Sequence, residues 1–187
     1  LPKVPAEYVQ LQQQLDTILA NGASYAVAET GTNRQAVQLV DLNGDGTEEA
    51  LAFFRTDSGA YQMYAFRQDE EGYKSLGMAE GYGTALRAVY YPRLADGSVA
   101  LAMCWGFDEG GSYGMTVYGF SQHGMSVLMD IQYGDVTIRD IDGDGAEEMA
   151  FAVRDNVTGL YSARVYQYRE NQYRILYEVP MCLEVRS

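Results

Sequence analysis

Two stretches of this chain carry nearly the same text. Val40 to Phe54 reads VDLNGDGTEEALAFF, and Arg139 to Val153 reads RDIDGDGAEEMAFAV. An acidic, glycine-turned phrase written twice, each time running into an apolar stretch, constrains the fold more than composition does. Self-similarity at a fixed period is the mark of a structure stacked from copies of one unit. The two phrases lie about a hundred residues apart, roughly twice a fifty-residue unit, so a third copy is expected between them. It is present in worn form, in YYPRLADGSVALAMCW, where Asp96-Gly97 stands against Asp45-Gly46 and Asp144-Gly145.

The text after each copy also aligns. MYAFRQDEEGYKSL ends at Leu76, TVYGFSQHGMSVL at Leu128 and ARVYQYRENQYRIL at Leu176, which matches Tyr64 with Tyr118 and Tyr166, and Phe66 with Phe120 and Tyr168. Each unit then holds four strand candidates: a run into the acidic loop, an apolar run out of it, an aromatic strand and a last strand. Four antiparallel strands per repeat is the pattern of a propeller blade. The exit runs EALAFF, VALAMCW and EMAFAV are apolar on both faces, as strands sandwiched between neighbouring sheets must be. ASYAVAE, ahead of the first unit, reads as the last strand of a preceding blade.

Before these units the period differs. Tyr8, Leu11, Leu15, Ile18 and Leu19 recur at steps of three and four, which marks one stripe of an amphipathic helix. Pro5 suits its first turn and Asn21-Gly22 its end. The expected fold is therefore all-β: three four-stranded antiparallel propeller-like blades in a partial or open β-propeller, preceded by one N-terminal amphipathic helix. Residues 1–22 form the helical cap and 23–187 the β domain, with units at about 34–80, 84–132 and 134–180. Three blades fall short of the four to eight of a closed propeller. Further blades in a longer natural chain, self-association through open blade faces, or an open stack capped by the helix would each resolve this.

Read as a numbered loop, the first phrase puts Asp41, Asn43 and Asp45 at positions 1, 3 and 5 and Glu49 at position 9. The second puts Asp140, Asp142, Asp144 and Glu148 there. Gly46 and Gly145, at position 6, permit the positive φ that curls a chain round an ion. Oxygen-only donors in a flexible loop describe a hard cation, Ca²⁺ ahead of Mg²⁺. An EF-hand is excluded, because position 12 is Ala52 or Phe151 rather than a bidentate Glu, inside strand-like runs.

These phrases, D-x-N-G-D-G-x-x-E and D-x-D-G-D-G-x-x-E before a buried strand, resemble FG-GAP or VCBS-type repeats. Those are the calcium-loop blades of integrin-α-like propellers and of many bacterial surface and secreted proteins. The resemblance implies that Asp41, Asn43, Asp45, Thr47 and Glu49 bind one Ca²⁺, and that Asp140, Asp142, Asp144, Ala146 and Glu148 bind another. It implies an exported protein, extracellular or at the cell surface, with a lipid-anchored precursor compatible. The middle unit has Pro92, Leu94 and Ala100 where ligands should stand and is expected to bind nothing. The second phrase carries four carboxylates against three, so its site should be the tighter.

A formal charge of −13 speaks against nucleic acid and anionic lipid as partners, since both need clustered Lys and Arg. No apolar run is long enough for a membrane span. LPKVPAEY, without initiator Met or apolar leader core, reads as the start of a processed or trimmed chain. Cys104 and Cys182 pair in an oxidising compartment or stay as buried thiols. His123, the single histidine, sits in an apparent turn. These observations favour a non-enzymatic binding or scaffolding module whose partner is a protein or a glycan. Trp105, Phe107 and Tyr113, in a glycine-rich tract, are the candidate contact surface, with packing between blades as the competing role for Trp105. The alternatives are a spacer or accessory domain of a larger surface protein, or a hydrolase using Asp108 and Glu109. Those two are adjacent, so on a strand they would point to opposite faces and cooperate poorly.

Overall fold

The computed structural model describes residues 5–181. The chain is mostly β, 54% strand against 8% helix, with one N-terminal helix and three antiparallel sheets. The helix, α1 (Ala6–Ala20), follows Pro5, whose φ of −55° is already set for a helical start. It ends at Asn21, and Gly22 at φ +96° makes the reversal that a side chain would strain. Leu11 and Leu15 are its buried residues, and they pack with Ala50, Ala52, Phe54, Phe66 and Tyr73 of the first sheet. The Gln14 amide fixes the contact by donating to the Tyr73 carbonyl at 2.7 Å.

The first sheet contains β1 (Ser24–Tyr25), β2 (Val37–Val40), β3 (Glu49–Arg55), β4 (Tyr61–Asp69) and β5 (Gly72–Glu80). β1 and β2 pair with successive parts of one edge of β3, and β4 and β5 follow on its other side. The second sheet runs β6 (Ala85–Tyr90), β7 (Leu101–Gly106), β8 (Tyr113–Ser121) and β9 (Gly124–Tyr133), in sequence order. The third runs β10 (Asp135–Arg139), β11 (Glu148–Arg154), β12 (Tyr161–Arg169) and β13 (Gln172–Met181), likewise in order. Residues 23–29 do not form the last strand of a preceding blade. Only Ser24 and Tyr25 are strand, on the first sheet's own edge, and Glu29 and Thr30 then donate to the Leu86 and Arg87 carbonyls of the second sheet.

Side chains alternate across a strand, and the alternation assigns each sheet two neighbours. On β3, Ala50, Ala52 and Phe54 face the helix, while Leu51 and Phe53 join Leu101, Met103 and Trp105 of β7 in one core. On β7, Ala100 (just ahead of the strand), Ala102 and Cys104 face the other way and meet Met149 and Phe151 of β11. Helix and sheets are thus layered in chain order. Each large side chain removed from water in these layers contributes about 1.5–3 kcal/mol before the entropy of ordering it. All of β3 but Arg55 is buried, and all of β7 but Gly106. On β11 only Glu148, Met149 and Phe151 are, because among the described residues no element covers the far face of the third sheet.

Each sheet breaks its register at the same place. The ladder slips between Ala65 and Phe66, between Val117 and Tyr118, and between Val165 and Tyr166, leaving Leu76, Leu128 and Leu176 as the extra residues on the opposing strands. The three leucines that align in sequence are these bulged residues. Their register also corrects the aromatic alignment. Phe66, not Tyr64, is the counterpart of Tyr118 and Tyr166, and Gln68, not Phe66, that of Phe120 and Tyr168.

Candidate metal centre

The acidic loops connect β2 to β3 and β10 to β11 and share one hydrogen-bond plan, dictated by short Asx side chains that cap nearby backbone N–H groups. Asp41 accepts from Gly44 and Gly46, each at 2.8 Å; Asp140 accepts from Gly143 at 2.7 Å and Gly145 at 2.9 Å. Asp45 accepts from Thr47 at 2.7 Å, and Asp144 from Ala146 at 2.8 Å. Glu49 reaches back to the Leu42 N–H at 2.8 Å, and Glu148 to the Ile141 N–H at 2.7 Å. Both glutamates are buried where their strands begin, so each closes its loop from the base. Gly46 and Gly145 have φ of +87° and +95°, the curl expected at position 6.

The loops differ in what stands between the carboxylates. In the third sheet, oxygens of Asp140, Asp142 and Glu148 all lie within 4.8 Å of one another. In the first, the third position is Asn43, and its amide donates to Asp45 at 3.1 Å and to Glu49 at 3.4 Å. A neutral donor there ties the carboxylates together without an ion. No equivalent acidic triad forms in the first loop among the described residues. Asp144 and Ala146 lie in the second phrase but outside its triad. Asp45 is tied to Asn43, and the position-7 residue Thr47 is exposed.

Protonation follows these surroundings. Hydrogen bonds from the Gly145, Gly143 and Asp144 N–H groups, the first largest, hold the Asp140 carboxyl below its ordinary value against partial desolvation. The Asp144 N–H pulls Asp142 down as well, but desolvation and the charges of Asp144 and Glu148 outweigh it and leave Asp142 raised. Glu49 is raised chiefly by burial, with Asp45 and Asp41 adding to the effect against the Leu42 N–H. A raised acid beside two others is what a cation relieves.

Sequence reading missed one neighbour. Gln167, on β12, donates to Asp142 at 3.2 Å and to Glu148 at 3.4 Å, while its Oε1 is buried without a donor. Only the β11–β12 pairing brings it beside the loop. In the first sheet the same register position holds Arg67, which lines a crevice with Asn43 and Glu49.

The middle turn keeps one element of the plan, the 2.9 Å bond from the Ser98 N–H to Asp96. Pro92 and Leu94 are buried there, so this turn is held by packing. It sits between the other two: Val99 donates to the Leu42 carbonyl, Glu147 to the Arg93 carbonyl, and Arg93 to Glu147 and to the Gly145 carbonyl.

The three aromatics proposed as one contact surface are divided by the second sheet. Trp105 is fully buried, donating to Thr116 at 3.3 Å between Tyr61 and Tyr82. Phe107 is half-buried on the same face against Tyr82, whereas Tyr113 lies on the opposite face under the Arg87 guanidinium. They pack between sheets. Asp108 and Glu109 are exposed at a loop and His123 in the β8–β9 turn. Cys104 is buried between the second and third sheets, and burial pushes its thiol up to about 11. Cys182 lies outside the described residues. Among the described residues no helix is long and apolar enough to cross a membrane. Compared with known protein families, curated proteins and solved structures, the chain has no match.

Proposed function

We propose that the protein is a non-enzymatic, exported calcium-binding module of propeller-like blades, which holds a protein or glycan partner at the cell surface or beyond it. The observation that carries the calcium reading is the Asp140–Asp142–Glu148 triad on a glycine-turned loop between two paired strands. All its donors are carboxylate oxygens, the set that suits a hard divalent ion. A cation among them would favour the Gln167 amide turned over, presenting Oε1 to the site and relieving that buried acceptor. The FG-GAP or VCBS resemblance supports Ca²⁺ in particular, and export. The first loop is the second and weaker site of this reading, since Asn43 replaces a carboxylate and Arg67 lies close by. The ion's role is structural: it pins the turn between two strands of a blade.

Extracellular sites of this kind hold Ca²⁺ at about 10⁻⁴ to 10⁻³ M, and calcium at about twenty times Kd adds roughly 2 kcal/mol per site. Calorimetric titration with CaCl₂, paired with melting curves in calcium and in chelator, tests the reading. Saturable heat and a lower Tm on chelation are expected. Absence of both overturns it.

Partner contact is assigned to the far face of the third sheet. Tyr177, Val179 and Met181 pair with Val165, Ala163 and Tyr161 on that face and are each at least 40% exposed, whereas the corresponding faces of the first two sheets are covered by the next sheet. Because α1 covers the other end, copies cannot stack head to tail, and the self-association this face supports is a two-fold pairing of third sheets. Sedimentation of the wild type and of Val179→Lys tests it. A dimer in the first and a monomer in the second are expected, and a wild-type monomer at millimolar concentration rules the pairing out.

A further inference from the structure

Where β6 of the second sheet passes the start of β10 in the third, a small cavity of about 130 Å³ opens to solvent. That is room for about four waters or a ligand of similar bulk, and far less than the roughly 300–1,000 Å³ of drug-sized sites. Its walls include Arg87, Tyr90, Cys104, Tyr113 and Tyr133, with Val136 opposite.

The strand register turns these groups toward one another. Ala88 pairs with Cys104, Tyr90 with Ala102, Cys104 with Met115 and Tyr113 with Tyr133, so the tyrosines and the thiol share the face of the second sheet that packs on the third. Val136 pairs with Phe151, on the third sheet's face toward the second, and closes the far wall. Asp135, one residue earlier, points to the opposite face, so its carboxylate, which accepts from the Val136 N–H at 2.9 Å, is turned away from the cavity. Arg87 joins the group through a bulge. The β6 ladder steps from Leu86 opposite Trp105 to Ala88 opposite Cys104 and leaves Arg87 as the extra residue. Thr30 locks that bulge, donating its N–H at 2.8 Å and its hydroxyl at 2.9 Å to the Arg87 carbonyl. β2 and β10, the first strands of the other two units, pair without a slip, so the bulge belongs to this cavity and not to the repeated plan.

The bulged guanidinium rests over the Tyr113 ring, 4.1 Å from its centroid, and Tyr113 lies 5.9 Å from Tyr133. Stacking engages the flat face of a guanidinium and leaves its N–H donors, which lie in its plane, open. None of the arginine hydrogen bonds or ion pairs among the described residues involves the Arg87 side chain. Tyr133 is 5% exposed and Cys104 1%, and the partner of the Tyr133 hydroxyl is that thiol, a weak one. Burial raises the Tyr90 and Tyr133 hydroxyls and the Cys104 thiol, so all three stay protonated at neutral pH. The cavity thus presents one fixed positive charge and neutral donors between apolar walls. A guanidinium fork matches the two oxygens of a carboxylate, and the walls and small volume admit only a short alkyl end behind it.

We propose that this cavity binds a short-chain monocarboxylate, with Arg87 on its two oxygens, the Tyr133 hydroxyl as a further donor, and Ala88 and Val136 against its alkyl end. The site is independent of the calcium reading, since it shares no residue with the acidic loops.

The test is calorimetric titration of the full chain, in a carboxylate-free buffer at constant ionic strength, with sodium propionate, propionamide and sodium nitrate in separate arms. Saturable binding of propionate, about tenfold or more tighter than its uncharged isostere propionamide or than nitrate, is expected. Arg87→Gln should weaken propionate about tenfold, and Tyr133→Phe, which keeps the ring, about fivefold. Arg87→Lys keeps the charge without the fork, so its binding should stay weaker than wild type, and it carries the arginine arm if Arg87→Gln does not give a cooperative melt. No saturable propionate binding, propionamide binding of equal strength, or indifference to the Arg87 variants overturns the proposal. Nitrate binding as tight as propionate overturns the carboxylate and leaves only an unselective anion pocket.

Discussion

The first and third acidic loops share glycines, backbone bonds and a buried glutamate, yet only the third draws three carboxylates to one point. The difference lies at two positions. Asn43 replaces Asp142, turning a source of repulsion into a donor that ties Asp45 and Glu49. Arg67 replaces Gln167, exchanging a neutral amide for a fixed cation at the loop's side. A loop of this kind can be closed by an ion or by its own hydrogen bonds, and a single oxygen-to-nitrogen exchange decides between them. The middle turn shows the limit of that trend, in which packing of Leu94 has replaced both.

The largest effect should follow Asp140→Ala, which removes a triad oxygen and the acceptor for Gly143 and Gly145. Calcium heat from the tighter site should vanish, a loss of about a hundredfold or more, together with most of the rise in Tm that calcium gives. If Asp41→Ala removes as much, the two loops are equivalent and the contrast fails. Asn43→Asp combined with Arg67→Gln should do the reverse, strengthening the first site about tenfold, or roughly 1.4 kcal/mol. An unchanged titration would show that neither position controls the site.

Gln167→Leu keeps the loop but removes its neighbour, and an affinity loss of about tenfold is expected at the third-sheet site with the first-sheet site untouched. The pH dependence is a subtler comparison. Asp142 and Glu49 both hold protons more strongly than ordinary carboxylates, so protons compete with the cation as pH falls through those raised values. Calcium affinity should therefore drop at a higher pH than unperturbed acids would give, and Asp142→Asn should remove that early step from the third-sheet site alone. Smallest is Asp96→Ala in the middle turn: no change in calcium stoichiometry and a loss of about 0.5–1.5 kcal/mol for its hydrogen bond.

The helix, the strand-rich chain and the acidic phrase that gathers in the third sheet were readable from periodicity and residue type. Leu11 and Leu15 fall on the predicted stripe because helical period alone decides which side chains share a face. The aromatic alignment was misread by two residues in the first unit because MYAFR offers two aromatics two apart on the same face, and only ladder partners separate them. For Trp105 the sequence left two roles open, contact surface and packing between blades, and burial decides for packing. In the fold, Gly81 and Gly83 come from another segment to make room for its ring.

What the sequence determined by itself is local: which residues alternate, where a glycine must turn, and which oxygens sit on one loop. Those are properties of a chain over a few residues, set by backbone sterics and side-chain chemistry. The tertiary structure alone decided which faces are covered and that Gln167 and Arg67 stand beside the two loops. Each of those depends on strands brought together across a sheet or between sheets, where contact is governed by register and burial, and no spacing along the chain encodes it.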